Sequence, residues 1–236
     1  MAAVVHVNLA MIFGAETWKG LPILVVEFME GGTLSDRLET SALDIGKTLE
    51  LGISLTEVLE KIHAAGILHR DIKPSNIGYT QDGIPKLMDF GVARMLAQPL
   101  KPQRRSHGDD ALIDPSASLA LTLPEQTREE GIYGTPRYMA PEALNASEPS
   151  PDFDIWSLNV VLFECLTQHN PFGTTNLAEL TRQRYQLPRL RDYMPSVSPD
   201  LENFFYQVFS PNPEKRPRTA KDLRQTLEEL LATSVV

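Results

Sequence analysis

The feature that most constrains this chain is the stretch from residue 67 to residue 91, which reads ILHRDIKPSNIGYTQDGIPKLMDFG. Residues 77–79 and 86–88 are short β-forming runs, and the Asp82-Gly83 pair between them is a strong turn signal. The pattern predicts a loop followed by a two-stranded hairpin. Because a hairpin returns the chain to its starting point, the residues before the first strand and after the second are expected to lie close together.

Polar side chains stand at both ends of this hairpin. Asn76 comes just before the first strand and Asp89 just after the second. An amide oxygen and a carboxylate that converge favour a hard cation such as Mg²⁺, which takes few protein ligands and shares its other positions with phosphate oxygens. Asp71 and Lys73, in the loop before Asn76, add a carboxylate and an ammonium group. The sequence therefore predicts an oxygen-rich cation site at this point.

These residues resemble the motifs of the protein kinase superfamily. His69-Arg70-Asp71 with Asn76 is similar to the catalytic loop, Asp89-Phe90-Gly91 to the magnesium-binding motif, and residues 134–142 (GTPRYMAPE) to the substrate platform that follows them. Each motif alone is a common turn or a charged surface, and their order gives the match its weight. The resemblance implies an α+β, protein kinase-like fold, with a mostly helical C-terminal lobe and a remnant of the β-sheet N-terminal lobe.

Composition narrows the class of partner. The chain carries 22 Lys and Arg against 31 Asp and Glu, a net charge of −9, which argues against nucleic acid as the main partner because phosphate backbones need a basic face. The single cysteine, Cys165, cannot form an internal disulfide and points to a reducing compartment. The longest apolar runs, residues 21–28 and 158–166, are too short to span a membrane. We expect a cytoplasmic chain, although a longer parent chain could be membrane-anchored.

Periodicity predicts the remaining elements. Apolar, β-branched runs at residues 5–13 and 21–28 predict an antiparallel strand pair. Helical spacing over residues 44–65, ended by Gly66, predicts a long helix leading into the catalytic loop. Residues 154–168 are apolar nearly all round, which is typical of a buried central helix. Further amphipathic helices are predicted near residues 176–185, 199–209 and 219–232.

The resemblance also predicts the domain organisation. Residues 1–29 would form the remnant of the N-terminal lobe and the hinge, and residues 30–236 the C-terminal lobe, with a long activation segment at 89–142. A complete kinase has a glycine-rich loop, a strand lysine and a helix glutamate before these strands, and none is found here. We therefore expect an N-terminally truncated kinase that binds ATP weakly and turns over slowly or not at all. The alternative is a non-catalytic, kinase-like interaction module.

The resemblance implies transfer of the γ-phosphoryl group of ATP to Ser or Thr hydroxyls of protein substrates. Asp71 would orient the attacking hydroxyl and accept its proton, and Lys73 would hold a positive charge beside the γ-phosphate. Asn76 and Asp89 would bind Mg²⁺. A lysine at position 73 is similar to serine/threonine kinases rather than tyrosine kinases. Two copies of the chain could also pair to phosphorylate each other.

Other residues are assigned by the same resemblance. The hinge backbone at Glu27 and Met29 would bind adenine, with Val26 lining the back of the pocket. Arg70 would pair with a phosphorylated residue of the activation segment, for which Thr127 is the preferred acceptor. Thr135 would bond Asp71 and Lys73 and shape the substrate platform.

Three residues are assigned structural roles. Glu142 and Arg216 resemble a buried ion pair that ties the activation segment to the late helices. Asp154 is expected to accept hydrogen bonds from the backbone at His69 and Arg70. His63, in the helix before the catalytic loop, is expected to pack or to face solvent and is given no chemical role.

Overall fold

A computed structural model describes residues 4–19, 21–89, 135–145, 147–173 and 188–234 of the chain. Within these ranges the expected mixed α/β fold is confirmed, with helices predominating after the first strand pair. The strands are β1 (Ile12–Trp18), β2 (Leu21–Val26), β3 (Ile77–Tyr79) and β4 (Pro85–Leu87). The helices are α1 (Leu34–Thr40), α2 (Ile45–Ala64), α3 (Pro141–Leu144), α4 (Pro151–Thr167), α5 (Pro199–Val208) and α6 (Ala220–Ser234).

The first strand lies later in the sequence than its hydrophobic pattern suggests. β1 and β2 pair antiparallel, as predicted, but β1 begins at Ile12 and the predicted strand over residues 5–13 is wrong. The apolar residues before Ile12 pair elsewhere: Leu9 forms a parallel bridge with Leu87 of β4. This pairing buries Leu9 in the main core. Burial of that side chain, rather than extension of the hairpin, accounts for the shift.

The β3–β4 hairpin forms at the turn signal. β4 starts one residue earlier than the predicted strand over residues 86–88, because Tyr79 pairs with Pro85. Gly83 has a φ of 80°, which an L side chain rarely adopts, and its N–H donates to the carbonyl of Thr80 at 2.9 Å. The tight turn therefore sets the register of the hairpin.

Helix α2 carries the chain towards the predicted catalytic loop. The side chain of Asp44 caps its N-terminus, and Gly66, with a φ of 73°, follows its end as predicted. A Cβ placed on Gly52 would lie 2.8 Å from Leu227 and 3.0 Å from Leu162. The glycine thus allows α2 to pack closely against α4 and α6, and this contact fixes the loop that follows α2 on a rigid base.

Helix α4 is the buried centre of the molecule, as its uniform apolarity predicts. It begins at Pro151, three residues before the predicted start at 154, because proline suits the first helical turn. Its aromatic side chains pack in stacked and edge-to-face pairs with rings from neighbouring segments. The ring cluster consists of Trp156, Phe163, Phe172, Phe205 and Phe209.

The last two helices agree with their sequence patterns. The predicted helices over residues 199–209 and 219–232 correspond to α5 and α6, which differ from them by one or two residues at the ends. The predicted helix near 176–185 lies outside the described residues. No helix in the described part of the chain is both long and apolar enough to cross a bilayer.

Candidate active site

The segment after β2 lies directly on the β3–β4 hairpin. The N–H of Gly31 donates to the carbonyl of Tyr79 at 2.9 Å, and the N–H of Tyr79 donates to the carbonyl of Gly32 at 2.9 Å. Met29 is buried, and its side chain packs directly on Gly78. Any other residue at position 78 would place its Cβ in the space that the Met29 side chain fills. The predicted hinge is therefore held by backbone bonds and side-chain packing to the strand that follows Asn76.

The loop after α2 brings together the charged groups that the sequence singled out. The Nζ atom of Lys73 lies 2.7 Å from Oδ2 of Asp71. Asn76 donates through Nδ2 to the backbone carbonyl of Asp71 at 2.8 Å and to its Oδ2 at 3.0 Å. The Asp71 carboxylate is therefore fixed by a cation and an amide, and it keeps partial contact with solvent.

Thr135 completes this cluster from a distant part of the sequence. Its hydroxyl donates to Oδ1 of Asp71 at 3.2 Å, and Lys73 donates to the same hydroxyl at 3.1 Å. Both predicted hydrogen bonds of Thr135 are thus present. The next residues form a tight turn, Pro136–Tyr138, whose tyrosine is buried against α4. The start of the predicted substrate platform is in this way joined to the Asp71 carboxylate.

Asp89 lies beside Asn76 at the open end of the hairpin. The N–H of Met88 donates to the backbone carbonyl of Asn76 at 2.9 Å. This bond keeps Asp89, the next residue, close to Asn76. Its φ of 53° is in the left-handed region, which aspartate tolerates better than most residues. The residue is exposed. Since Nδ2 of Asn76 faces Asp71, the amide oxygen of Asn76 remains as its ligand atom.

This donor set fits a magnesium ion that shares its ligands with phosphate. One amide oxygen and one exposed carboxylate are hard oxygen donors, and Mg²⁺ keeps several positions for water or phosphate. The described residues contain no group of three or more His, Cys, Asp or Glu side chains that could hold a metal by themselves. The arrangement therefore suits a cation that arrives with a phosphate-bearing ligand, rather than a metal held by the protein alone.

Asp154 fixes the backbone of the predicted catalytic loop. Its side chain, 1% exposed, accepts the N–H of His69 at 2.9 Å and the N–H of Arg70 at 2.7 Å. Both hydrogen bonds were expected from the sequence. Arg70 has a φ of 68°, a strained conformation for a residue with a Cβ, and the two bonds offset that strain.

His63 is the residue that the sequence analysis missed. Instead of only packing or facing solvent, its Nε2 lies 2.9 Å from Oδ2 of Asp154, the oxygen that also accepts the N–H of His69. The two residues are 91 positions apart, so no local pattern could have revealed the pair. Its position in the last turn of α2, facing the core, was the one available signal.

His69 is fully buried and held as one neutral tautomer. Its Nε2 lies 2.8 Å from the carbonyl of Met88, so this nitrogen carries the proton, and its Nδ1 accepts the N–H of Asp71 at 3.3 Å. A proton on Nδ1 would break the second bond. Burial lowers the pKa of His69 below its ordinary value, although the charge of Asp154 and the Met88 carbonyl oppose the shift.

Burial of this histidine predicts a pH-dependent stability. In the unfolded chain it binds a proton below about pH 6.5, whereas the folded chain resists protonation until lower pH. The unfolded state then holds more protons, so the free energy of unfolding should fall by up to about 1.4 kcal/mol per pH unit below pH 6.5. Urea titrations between pH 5.5 and 7.5 would measure this slope. His69→Gln should remove the slope, and exposed His169→Gln should retain it.

An ion pair between the buried Arg216 and the half-buried Glu142 fixes the residues after Thr135. Arg216 donates from Nη1 and Nη2 to the two carboxylate oxygens of Glu142, both at 3.1 Å, and from Nε to the carbonyl of Ser210 at 2.7 Å. Its guanidinium also stacks 4.6 Å from the Trp156 ring. The predicted contact is therefore present, and it joins α3 to the turn before α6.

Residues 90–134, most of the predicted activation segment, lie outside the described residues. They include Phe90 and Gly91 beside Asp89, Thr127, the preferred phosphorylation site, and Gly134. Arg70, the predicted partner of a phosphate, has a buried Nε with no hydrogen-bond partner among the residues that the structure describes. Val26, predicted to line the back of a nucleotide pocket, is 41% exposed at the end of β2.

The fold and the cluster around Asp71 have the arrangement expected of a protein kinase domain. The sequence model of the protein kinase domain matches residues 1–227, and the chain belongs to the protein kinase family. It is 30% identical over 216 residues to a probable serine/threonine-protein kinase of Streptomyces coelicolor, covering 89% of this chain and 28% of that protein.

Other relatives come from bacteria and animals. The chain is 30% identical over 236 residues to serine/threonine-protein kinase PknB of Mycobacterium leprae, with 96% of this chain and 34% of that protein covered. It is 28% identical over 222 residues to human serine/threonine-protein kinase PAK 4, with 94% and 32% covered. The chain thus spans about a third of the length of the curated relatives that it matches.

Proposed function

We propose that this chain is a protein serine/threonine kinase domain that transfers the γ-phosphoryl group of ATP to a Ser or Thr hydroxyl. The observation that carries the proposal is the cluster of Asp71, Lys73, Asn76 and Thr135, in which one carboxylate meets an ammonium group, an amide and a hydroxyl. Phosphoryl transfer requires positioning and neutralisation of charge more than covalent chemistry, and this cluster supplies both.

Each member of the cluster has a role in the proposed reaction. Asp71 orients the attacking hydroxyl and accepts its proton, since its carboxylate is held by hydrogen bonds and remains partly accessible. Lys73 lies beside it and neutralises negative charge on the transferring group. Thr135, hydrogen-bonded to both, is proposed to shape the site that accepts a Ser or Thr hydroxyl.

Asn76 and Asp89 would hold Mg²⁺ through the amide oxygen and the exposed carboxylate. When bound, the ion neutralises charge on the phosphate oxygens and helps to align them. The protein's own contribution is the rigidity of this pair: the Met88–Asn76 backbone bond keeps Asp89 next to Asn76. The adenine end of the nucleotide would meet the hinge backbone at Glu27 and Met29, with Val26 behind it.

Arg70 is proposed to respond to phosphorylation. Its buried Nε lacks a partner within the described ranges, and a phosphate ester with its three oxygens pairs well with a guanidinium. Thr127 is the proposed acceptor. Mass spectrometry of the chain after incubation with Mg²⁺ and ATP should detect a phosphate at Thr127, and its absence there would remove this part of the proposal.

The proposed activity is tested by transfer of labelled phosphate from ATP to peptide mixtures that offer either Ser and Thr or only Tyr. We expect Mg²⁺-dependent labelling of the Ser and Thr peptides. Asp89→Asn should abolish the Mg²⁺-dependent signal, whereas Asp82→Asn, the same change at an exposed turn of the same hairpin, should retain it. A folded parent chain that labels no peptide and does not bind Mg²⁺-ATP would instead favour a non-catalytic interaction module.

A further inference from the structure

A charged pair outside the Asp71 cluster joins the hinge to the β3–β4 hairpin. Nζ of Lys86, in β4, lies 2.9 Å from Oε1 and 3.0 Å from Oε2 of Glu27, which follows β2. Oε2 of Glu27 also accepts the backbone N–H of Met11 at 3.0 Å. The carboxylate is therefore held from two sides, by an ammonium group from one strand pair and an amide from the segment before β1.

Burial makes this pair sensitive to the loss of either member. Lys86 is 8% exposed, so its charge has little access to water and depends on the carboxylate. Burial acts to raise the pKa of Glu27, but the hydrogen bonds from Lys86 and from Met11 outweigh it and hold this pKa below its ordinary value. Glu27 therefore stays ionised at neutral pH, 2.9 Å from Nζ of Lys86.

The pair lies close in the sequence to both ends of the proposed nucleotide site. Lys86 lies three residues before Asp89, the proposed metal ligand, and Glu27 lies two residues before Met29 in the proposed adenine-binding segment. Backbone hydrogen bonds lie next to the pair. The N–H of Leu87 donates to the carbonyl of Asn8 at 2.8 Å, and the N–H of Glu27 donates to the carbonyl of Met11 at 2.8 Å. A shift of either strand against the other would have to break the pair.

We propose that the Lys86–Glu27 ion pair is a positioning device that sets the distance between the adenine end and the phosphate end of the nucleotide site. The proposal rests on the proposed function. It assigns neither residue a contact with the reacting atoms. A ligand that spans both ends gains affinity because the two halves of the site are held at a fixed spacing. A ligand that binds at one end alone gains no affinity from that spacing.

The test compares one ligand that spans the site with two that do not. Dissociation constants would be measured by calorimetry for ATP with Mg²⁺, for adenosine, and for Mg²⁺-tripolyphosphate. In Lys86→Met we expect ATP binding to weaken about 10-fold, within the usual range of coupling between sites, while adenosine and tripolyphosphate bind as to the parent. Glu27→Gln should act in the same direction, and the double variant should be no weaker than Lys86→Met alone.

Controls separate positioning from a general loss of structure. Lys86→Arg keeps the charge and should restore ATP binding, and Lys61→Met, at an exposed lysine of α2, should change nothing. Equal weakening of all three ligands would show a merely structural role and overturn the proposal, as would unchanged ATP binding in a folded Lys86→Met variant. A parent chain that binds none of the ligands would overturn the proposed function itself, and this inference with it.

Discussion

Replacing Asp71 by asparagine is expected to lower kcat for phosphoryl transfer by about 10²- to 10⁴-fold, the usual contribution of a positioned general base. The substitution keeps the size of the side chain and removes its ability to accept a proton. The backbone carbonyl of residue 71 still accepts the Nδ2 hydrogen of Asn76, so the loop should keep its shape. Nucleotide binding, which depends on other residues in the proposed site, should remain close to that of the parent.

The measurement is steady-state transfer to a Ser or Thr peptide, with ATP binding measured on the same preparations. Asp36→Asn provides a matched control, because the exposed Asp36 carboxylate accepts the N–H of the N-cap residue Thr33 in α1, away from the cluster. Its transfer rate should be that of the parent. An Asp71→Asn variant that transfers phosphate within a few-fold of the parent rate would remove Asp71 from the proposed chemistry.

Replacing Asp154 by asparagine is expected to lower the free energy of unfolding by about 3–5 kcal/mol, the range for removing one member of a buried charged network. The carboxylate accepts three hydrogen bonds or close contacts, from His69, Arg70 and His63. An asparagine amide offers one oxygen and turns an NH₂ group towards a donor. The strained backbone of Arg70 would then lose its support, so transfer activity should fall together with stability.

Chemical denaturation of the parent and the variant at pH 7.5 measures this loss. Asp152→Asn is the control in the same helix. Burial, with the nearby Glu142 adding to it, raises the pKa of Asp152 although Arg216 opposes the shift, so the folded state disfavours its charge. Removing that charge should leave stability unchanged or slightly increased. Equal effects of the two substitutions would contradict the special role of Asp154.

Local sequence patterns were sufficient for the elements that carry the site. The Asp82-Gly83 turn and the β-forming runs beside it predicted the hairpin, because a tight turn and strand alternation depend on neighbouring residues. Helix α2 was equally predictable from its apolar spacing and from Gly66. The roles in the Asp71 cluster, and the contacts of Thr135, came from the family resemblance, which rests on motifs whose residues lie close together in the sequence.

Contacts between distant segments could not be obtained in this way. His63 meets Asp154 across 91 positions, and Lys86 meets Glu27 across 59, and neither pair has a spacing that a local rule recognises. The predicted start of β1 was wrong for the same reason. Leu9 belongs to an apolar run that suits a strand, yet its pairing with β4 was decided by burial in the core.

We propose that Asp71, Asn76 and Asp89 face one magnesium-bound triphosphate. A crystal structure with Mg²⁺ and a non-hydrolysable ATP analogue would test this arrangement. We expect a magnesium ion about 2.0–2.1 Å from the amide oxygen of Asn76 and from a carboxylate oxygen of Asp89, with the γ-phosphate next to Lys73. A nucleotide bound elsewhere, or a metal that contacts neither residue, would contradict it.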